Sequence, residues 1–306
     1  MKDLHTQMPI GQLCDLFDKS RQAFYKRQQV IYRKSIEEHW ILSQVHRIRQ
    51  RQPRIGGRKL LFLLDKQGVQ LGRDALFDLL RSNGLLVRRR RNGSRTTHSN
   101  HWLRKYPNLI RHVEPNAPNQ LWVSDITYLE TTEGFLYLFL ITDAYSKKIV
   151  GYSMADNLEA DNAVEALKKA LKTMPSDCTG LIHHSDRGVQ YCSDKYVKAL
   201  SQRKIAISMT ENGDPLENAI AERVNGILKD EWLYEMGRMD KNAMRKAIPE
   251  IIRIYNHERP HLSLNMLTPN KAHQGSERLK RLWRNYYPSS RKSADMTKSY
   301  PQSHTN

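Results

Sequence analysis

Between Leu121 and Ala155 the chain lays down three runs rich in β-branched and aromatic residues, LWVSDITYLE, GFLYLFLITD and KKIVGYSMA. Only short polar turns separate them, so an antiparallel meander is predicted. Beyond Ala155 the texture alternates. A helix around Glu159–Met174, a short run GLIHHSD, a helix around Asp194–Gln202 and a run IAISMT come in turn. An amphipathic helix then lies within DPLENAIAERVNGILKDEW. The order βββαβαβα predicts an α/β domain with a mixed sheet, antiparallel first and parallel later. A last helix over roughly Lys241–His257 leads into YNHERPHLSLNMLTP.

The first hundred residues carry helical periodicity instead. Leu13, Leu16 and Phe17 share one spacing, which breaks near Asp18, and Ser20 suits the cap of a second short helix holding Phe24. Two short helices joined by a tight turn suggest a helix-turn-helix. After a longer helix around Ile36–Arg49, Leu60, Leu61 and Leu64 form one apolar face and Leu76, Leu79 and Leu80 another. Gly68 and the Asn83-Gly84 pair are suited to stop these two helices. The second of them carries Arg73 and Arg81, and Arg88, Arg89, Arg90 and Arg91 come directly after it.

Charge decides between a DNA-binding region and a plain helical bundle with a solvated surface. The chain has a formal charge of +18. Up to Gln120 there are 24 Lys+Arg against 9 Asp+Glu, a net of +15, and the remainder adds only +3. Such a front half favours a polyanion, with nucleic acid ahead of a membrane surface. The longest apolar run, FLYLFLI, is far short of the ~20 residues of a membrane span, so no membrane partner is expected. Cys14, Cys178 and Cys192 form no CxxC pair, which suggests reduced thiols rather than disulfides or zinc. With no signal-peptide pattern at the start, a cytoplasmic protein is expected, nucleoid-associated when bound to DNA. The expected organisation is a helix-turn-helix-like region over 1–52, a second helix-turn-helix over 53–91, and a basic polar linker over 92–118. An α/β core over 119–275 and a polar, mobile tail over 276–306 complete it.

Three acids stand out in the α/β part. Asp125 lies inside a β-prone run, where Asp is disfavoured. Asp186 comes just after a short apolar strand, and Glu222 lies on the amphipathic helix. Functional groups of open α/β sheets gather at the carboxyl ends of strands and on neighbouring elements, so these three can converge. Each alone is more simply a surface acid or a partner of one of the many arginines. Converging carboxylates require a cation, and oxygen donors suit Mg²⁺ or Mn²⁺. Two such ions about 4 Å apart support phosphodiester chemistry. On a helical wheel Ile220, Val224, Ile227 and Leu228 fall within about 100° of one another, with Glu222, Gly226 and Lys229 on the far side.

Spacing sharpens the choice. Sixty residues separate Asp125 from Asp186, and 35 separate Asp186 from Glu222. The motifs W-x-x-D-I-T-Y, H-S-D-R-G-x-Q-Y and N-A-x-A-E-R-x-N-x-x-L-K resemble the DD(35)E motif of integrase-core transposases. Y-N-x-x-R-P-H-x-x-L-x-x-x-T-P, from Tyr255, resembles the C-terminal signature of the same group. The match is to insertion-sequence family three, OrfB product, and it covers nearly the whole chain. It implies an RNase H-like integrase core (a mixed five-stranded sheet with helices) preceded by an all-α helix-turn-helix DNA-binding region. Asp125, Asp186 and Glu222 would be the metal-binding triad for two Mg²⁺ (or Mn²⁺) ions. Lys229, seven positions past the glutamate, would hold a terminal phosphate.

The implied reaction is metal-dependent cleavage at the ends of an insertion sequence, then strand transfer by the freed 3′-OH. Implied partners are double-stranded DNA (terminal inverted repeats and target), further copies of the chain on paired ends, and an upstream-frame OrfA product or frameshift fusion. His184 and Asn218 are further DNA-contact candidates. For His184 the competing reading is a packed side chain, and for Asn218 it is a helix cap. His183 stands under the same pair of readings as His184, while Gln190 and Tyr191 match family positions. Gly213 and Pro215 read as an active-site loop, and Asn256, Arg259 and His261 as braces of the core. Competing functions are a cutting-only nuclease of the same fold and a catalytically silent DNA-binding regulator.

Overall fold

The computed structural model describes residues 8–87, 103–111, 113–211 and 218–275. The run Arg88–Arg91, the loop holding Gly213 and Pro215, and the tail from 276 lie outside these residues.

Helix α1 (Ile10–Leu16) is followed by α2 (Arg21–Arg51), where Ser20 Oγ accepts from the Ala23 amide at 3.1 Å. The sequence pattern divides this stretch into a short helix and a longer one, but the structure makes α2 a single helix of 31 residues. No Gly or Pro stands between Arg21 and Arg51, so nothing forces the backbone out of the helical region. The C-terminal half of α2 is covered. Ile41, Val45 and Ile48 pack with Leu60 and Leu64 of α3 (Gly57–Lys66) and with Leu76 and Leu80 of α4 (Arg73–Ser82). This core runs through the boundary expected after residue 52, because the end of α2 supplies its third wall. Gly68 and Gly84 stand just past α3 and α4 at φ +84 and +66, the left-handed conformation that ends a helix at least cost to glycine.

The α/β part holds β1 (Leu121–Thr131), β2 (Gly134–Asp143), β3 (Ile149–Ala155), β4 (Ile182–Ser185) and β5 (Ala206–Met209). They form one sheet in the order β3-β2-β1-β4-β5. The first three pair antiparallel; β4 joins β1, and β5 joins β4, in parallel. Side chains alternate across the sheet. Trp122, Phe139 and Ile141 face α5 (Ala160–Thr173) and α7 (Asp194–Gln202), while Leu129, Leu136, Leu138 and Leu140 face α8 (Ala219–Leu228) and α10 (Lys241–His257).

Shorter pieces complete the described chain. Helix α6 (Val189–Cys192) precedes α7, and a π-helical turn (Lys229–Leu233) with α9 (Tyr234–Met236) continues α8. Helix α11 (Pro269–Gln274) comes after α10. Part of the expected linker runs along β5: the Met209 amide donates to Pro107 O at 3.3 Å and the Leu109 amide to Ser208 Oγ at 2.9 Å. Among the described residues no helix is long and apolar enough to cross a membrane.

Candidate active site

Sheet register brings the two aspartates level. Leu121, Trp122 and Val123 of β1 pair with Ile182, His183 and His184 of β4. Carrying that parallel register two residues on sets Asp125 opposite Asp186, the first residue past β4. Asp125 shares the face of Leu129, towards α8, because positions two apart on a strand point the same way. Its Oδ1 accepts from the Ile126 amide at 2.9 Å and its Oδ2 from Asn225 Nδ2 at 2.7 Å. Asp186 Oδ1 accepts from the Gly188 amide at 3.0 Å.

Helix α8 supplies the third acid. Val224, Ile227 and Leu228 bury its inner face against β1, β2 and α10. Asn225 is buried and hydrogen-bonded to Asp125, so α8 is fixed to β1 at that point. Glu222 lies one residue short of a turn before Asn225 and is exposed. Lys229 begins the π-helical turn and is half-buried. It lines a cleft of about 390 Å³ with Tyr128, Phe135 and Tyr234. At Gly226 an added Cβ would meet nothing within 4 Å, so the helix surface between Glu222 and Lys229 is open.

Electrostatics tie the acids together. Burial raises the Asp125 carboxyl to about 7, and the charges of Asp186 and Glu222 add to the rise. The hydrogen bonds from Asn225 and the Ile126 amide oppose it. Burial lowers the Lys229 ammonium, while the charge of Asp125 holds it up. Among the described residues no three His, Cys, Asp or Glu side chains are gathered closely enough to hold a metal ion as they stand. The donor set nonetheless fits a hard divalent cation, being carboxylate oxygen alone around a group whose charged form suffers from its neighbours.

Other sequence candidates fall elsewhere. His184, read as a DNA contact, is fully buried, and its Nδ1 is 2.8 Å from Ser208 Oγ within a hydrogen bond. That reading is corrected: β4 is a central strand covered on both faces, so neither His183 nor His184 reaches solvent. His183 Nε2 lies 2.7 Å from Ser124 Oγ and 2.8 Å from Tyr196 Oη, and burial lowers its pKa to about 3. Asn218 holds the cap position of α8 without capping it. Its buried Nδ2 donates to Ser124 O at 3.0 Å, which ties the start of α8 to β1 rather than offering the side chain to DNA.

Gln190 Nε2 donates to Leu158 O at 2.8 Å, and Tyr191 is buried. Asn256 exchanges two 3.0 Å hydrogen bonds with the Ile149 backbone, bracing β3. Arg73 and Arg81 are exposed on α4 and paired with Asp74 and Asp78. Asn225 and Glu231 were not singled out from the sequence. For Asn225 a signal existed: Glu222, Asn225 and Lys229 are polar at i, i+3 and i+7, one helical stripe.

Comparison with known proteins gives consistent matches. Residues 115–215 match the family described as Integrase core domain, and residues 203–269 match a second family of that description. The "Insertion element IS600 uncharacterized 31 kDa protein" of Shigella sonnei is 36% identical over 271 residues, covering 86% of this chain and 99% of that protein. The "Transposase InsF for insertion sequence IS3A" of Escherichia coli K12 is 29% identical over 273 residues, covering 87% and 94%. A solved HTLV-2 integrase catalytic core domain in complex with magnesium aligns at 18% identity and a TM-score of 0.41, over 51% of this chain and 97% of that one.

Proposed function

We propose, from the premise that this chain belongs to the insertion-sequence family three transposases with an integrase core domain, that Asp125, Asp186 and Glu222 form its catalytic centre. The protein is a DNA transposase, a polynucleotidyl transferase that acts on phosphodiesters. The reaction is cleavage at the ends of an insertion sequence followed by strand transfer and integration. The observation that carries this reading is the β1–β4 register that sets Asp125 level with Asp186, with α8 and its Glu222 tied to β1 by the Asn225–Asp125 hydrogen bond.

Each residue then has a task. Asp125 and Asp186 would present oxygens held in place by the Asn225 side chain and by the Ile126 and Gly188 amides. Glu222, exposed on α8, would close the set from the helix side. These carboxylates would hold divalent cations, two Mg²⁺ or Mn²⁺, which supply charge neutralisation and a lowered pKa for the attacking hydroxyl. Lys229 would fix a phosphate of the DNA end as a point charge, with the cleft beside it giving room for the strand. Gly226 leaves the path between them clear. Arg73, Arg81 and the run Arg88–Arg91 would contact the phosphates of terminal repeats, and further copies of the chain would pair two ends. An upstream-frame product could join that assembly. The site of action would be the bacterial cytoplasm, at the nucleoid.

The test is direct. Purified protein with Mg²⁺ or Mn²⁺ should nick oligonucleotides carrying the element's terminal repeats and join 3′ ends to target DNA. Asp186→Asn should abolish both while leaving DNA affinity in place. Cleavage by that variant at the wild-type rate would remove the assignment.

A further inference from the structure

Two residues past Lys229, the π-helical turn sends Glu231 inward to a site built from three distant parts of the chain. Lys59 of α3 donates to Glu231 Oε1 at 2.7 Å. Arg259, just past α10, donates from Nε to Oε2 at 2.7 Å and from its terminal nitrogen to Oε1 at 2.6 Å. Lys59 and Arg259 are buried at 8% and 3% exposure, and the Glu231 side chain is 13% exposed. Burial raises the Glu231 carboxyl, yet Arg259 and Lys59 together overcome it and hold the group at about 2.

Neighbouring contacts run along the same seam. The Arg54 amide donates to Glu231 O at 3.2 Å, and Trp232 Nε1 donates to Arg51 O at 2.7 Å. Arg54 also pairs with Glu235 at 2.8 Å, and Arg51 grips Glu258 through two 2.7 Å bonds. The helical region therefore meets the α/β core around the turn that starts at Lys229 and at the C-terminal end of α10.

Stability alone does not explain such a choice. Desolvating three charges is expensive, and well-packed apolar side chains would hold the same seam as firmly. What paired charges add is register, since a bidentate guanidinium and one ammonium fix a carboxylate in direction as well as place. A π turn adds a residue to a helix and rotates the next turn about the axis, so its position needs fixing from outside.

We propose that Lys59 is a positioning residue for the carboxylate site: by holding Glu231, it makes the docked N-terminal helices set the place of the π turn and of Lys229. Arg259 satisfies the Glu231 carboxylate from within the core, and Lys59 supplies that carboxylate's side-chain link to the helices. Loss of Lys59 therefore leaves Glu231 paired with Arg259, and the fold and the Arg51 and Arg54 contacts intact, while loosening the hold of α3 on the turn. Its activity consequences rest on the transposase reading; its structural consequence does not.

The experiment uses the full chain with Lys59→Met, which keeps the apolar stem, and Lys59→Arg, which keeps the charge. Amide exchange over residues 229–236, without DNA, should run at least roughly threefold faster in Lys59→Met and match wild type in Lys59→Arg. On terminal-repeat DNA, Lys59→Met should lower the cleavage rate at saturating DNA about tenfold while Kd measured in Ca²⁺ stays within about threefold. Lys59→Arg should restore the rate. Unchanged exchange in Lys59→Met overturns the coupling. So does a wild-type cleavage rate in that variant, or a melting temperature that falls equally in both variants. A wild-type chain inert on this DNA would count against the transposase reading instead, with exchange still deciding the coupling.

Discussion

Asp125 is pulled in opposite directions by its surroundings. Burial, then the charges of Asp186 and Glu222, lift it to about 7, against the pull of Asn225 and the Ile126 amide. At neutral pH it is therefore divided between its two forms, and a bound cation would tip it to the carboxylate. Asn225→Ala removes the donor that favours the charged form, so the pKa rises further. Cleavage at pH 7 should fall roughly tenfold and the metal requirement should increase, since a hydrogen bond to a charged group contributes about 1.5–3 kcal/mol. Raising the pH above 8 should recover most of the loss, because the carboxyl then ionises without help. Metal titrations of cleavage at pH 7 and 8.5 check this; an unchanged metal dependence at pH 7 would take Asn225 out of the site. His183, by contrast, is held neutral by burial and serves the packing between β1, β4 and α7.

Helix α8 has two faces with two tasks. Val224, Ile227 and Leu228 anchor it, and Glu222, Gly226 and Lys229 are turned the other way. Gly226 is the informative position. An alanine there meets no atom and has the better helix propensity by roughly 1 kcal/mol, so Gly226→Ala should melt no lower than wild type. If a DNA strand runs between Glu222 and Lys229, the same change should cut the cleavage rate several-fold. A stable variant with full cleavage activity would show that nothing approaches that surface. A glycine of the opposite kind is Gly151, where an added Cβ would strike the Ala166 carbonyl; there the missing side chain lets β3 lie directly under α5.

For the molecule as a whole, charge and architecture are divided along the same line. The front half holds +15 of the formal +18. Binding to terminal-repeat DNA by the full chain should therefore weaken steeply with salt. Some six phosphate contacts would lose about a thousandfold in affinity between roughly 50 and 200 mM salt. A fluorescence-anisotropy titration across that range checks it, and a flat response would transfer recognition to uncharged contacts. The helical region is joined to the core by the buried Lys59–Glu231 ion pair and by the Arg54 and Trp232 hydrogen bonds beside it.

The element order and the mixed sheet were legible in the chain because each is written locally. Period-two and helical patterns mark strands and helices, and the gap between Asp125 and Asp186 matches the register of β1 on β4. Chain-local signals misread α2, where a lapse in apolar spacing looked like a break, although no residue there breaks a helix. They also could not tell which way a polar residue faces. Strand alternation leaves one of two adjacent histidines outward on an edge strand; only the central place of β4, covered on both faces, turns His183 and His184 both inward. Asn218 and Asn225 look like a cap and a surface amide until α8 is laid against β1. Lys59, Glu231 and Arg259 form one ionic site across 172 and 28 residues of chain. Their energies come from burial and from one another, and those quantities exist only once the chain has folded.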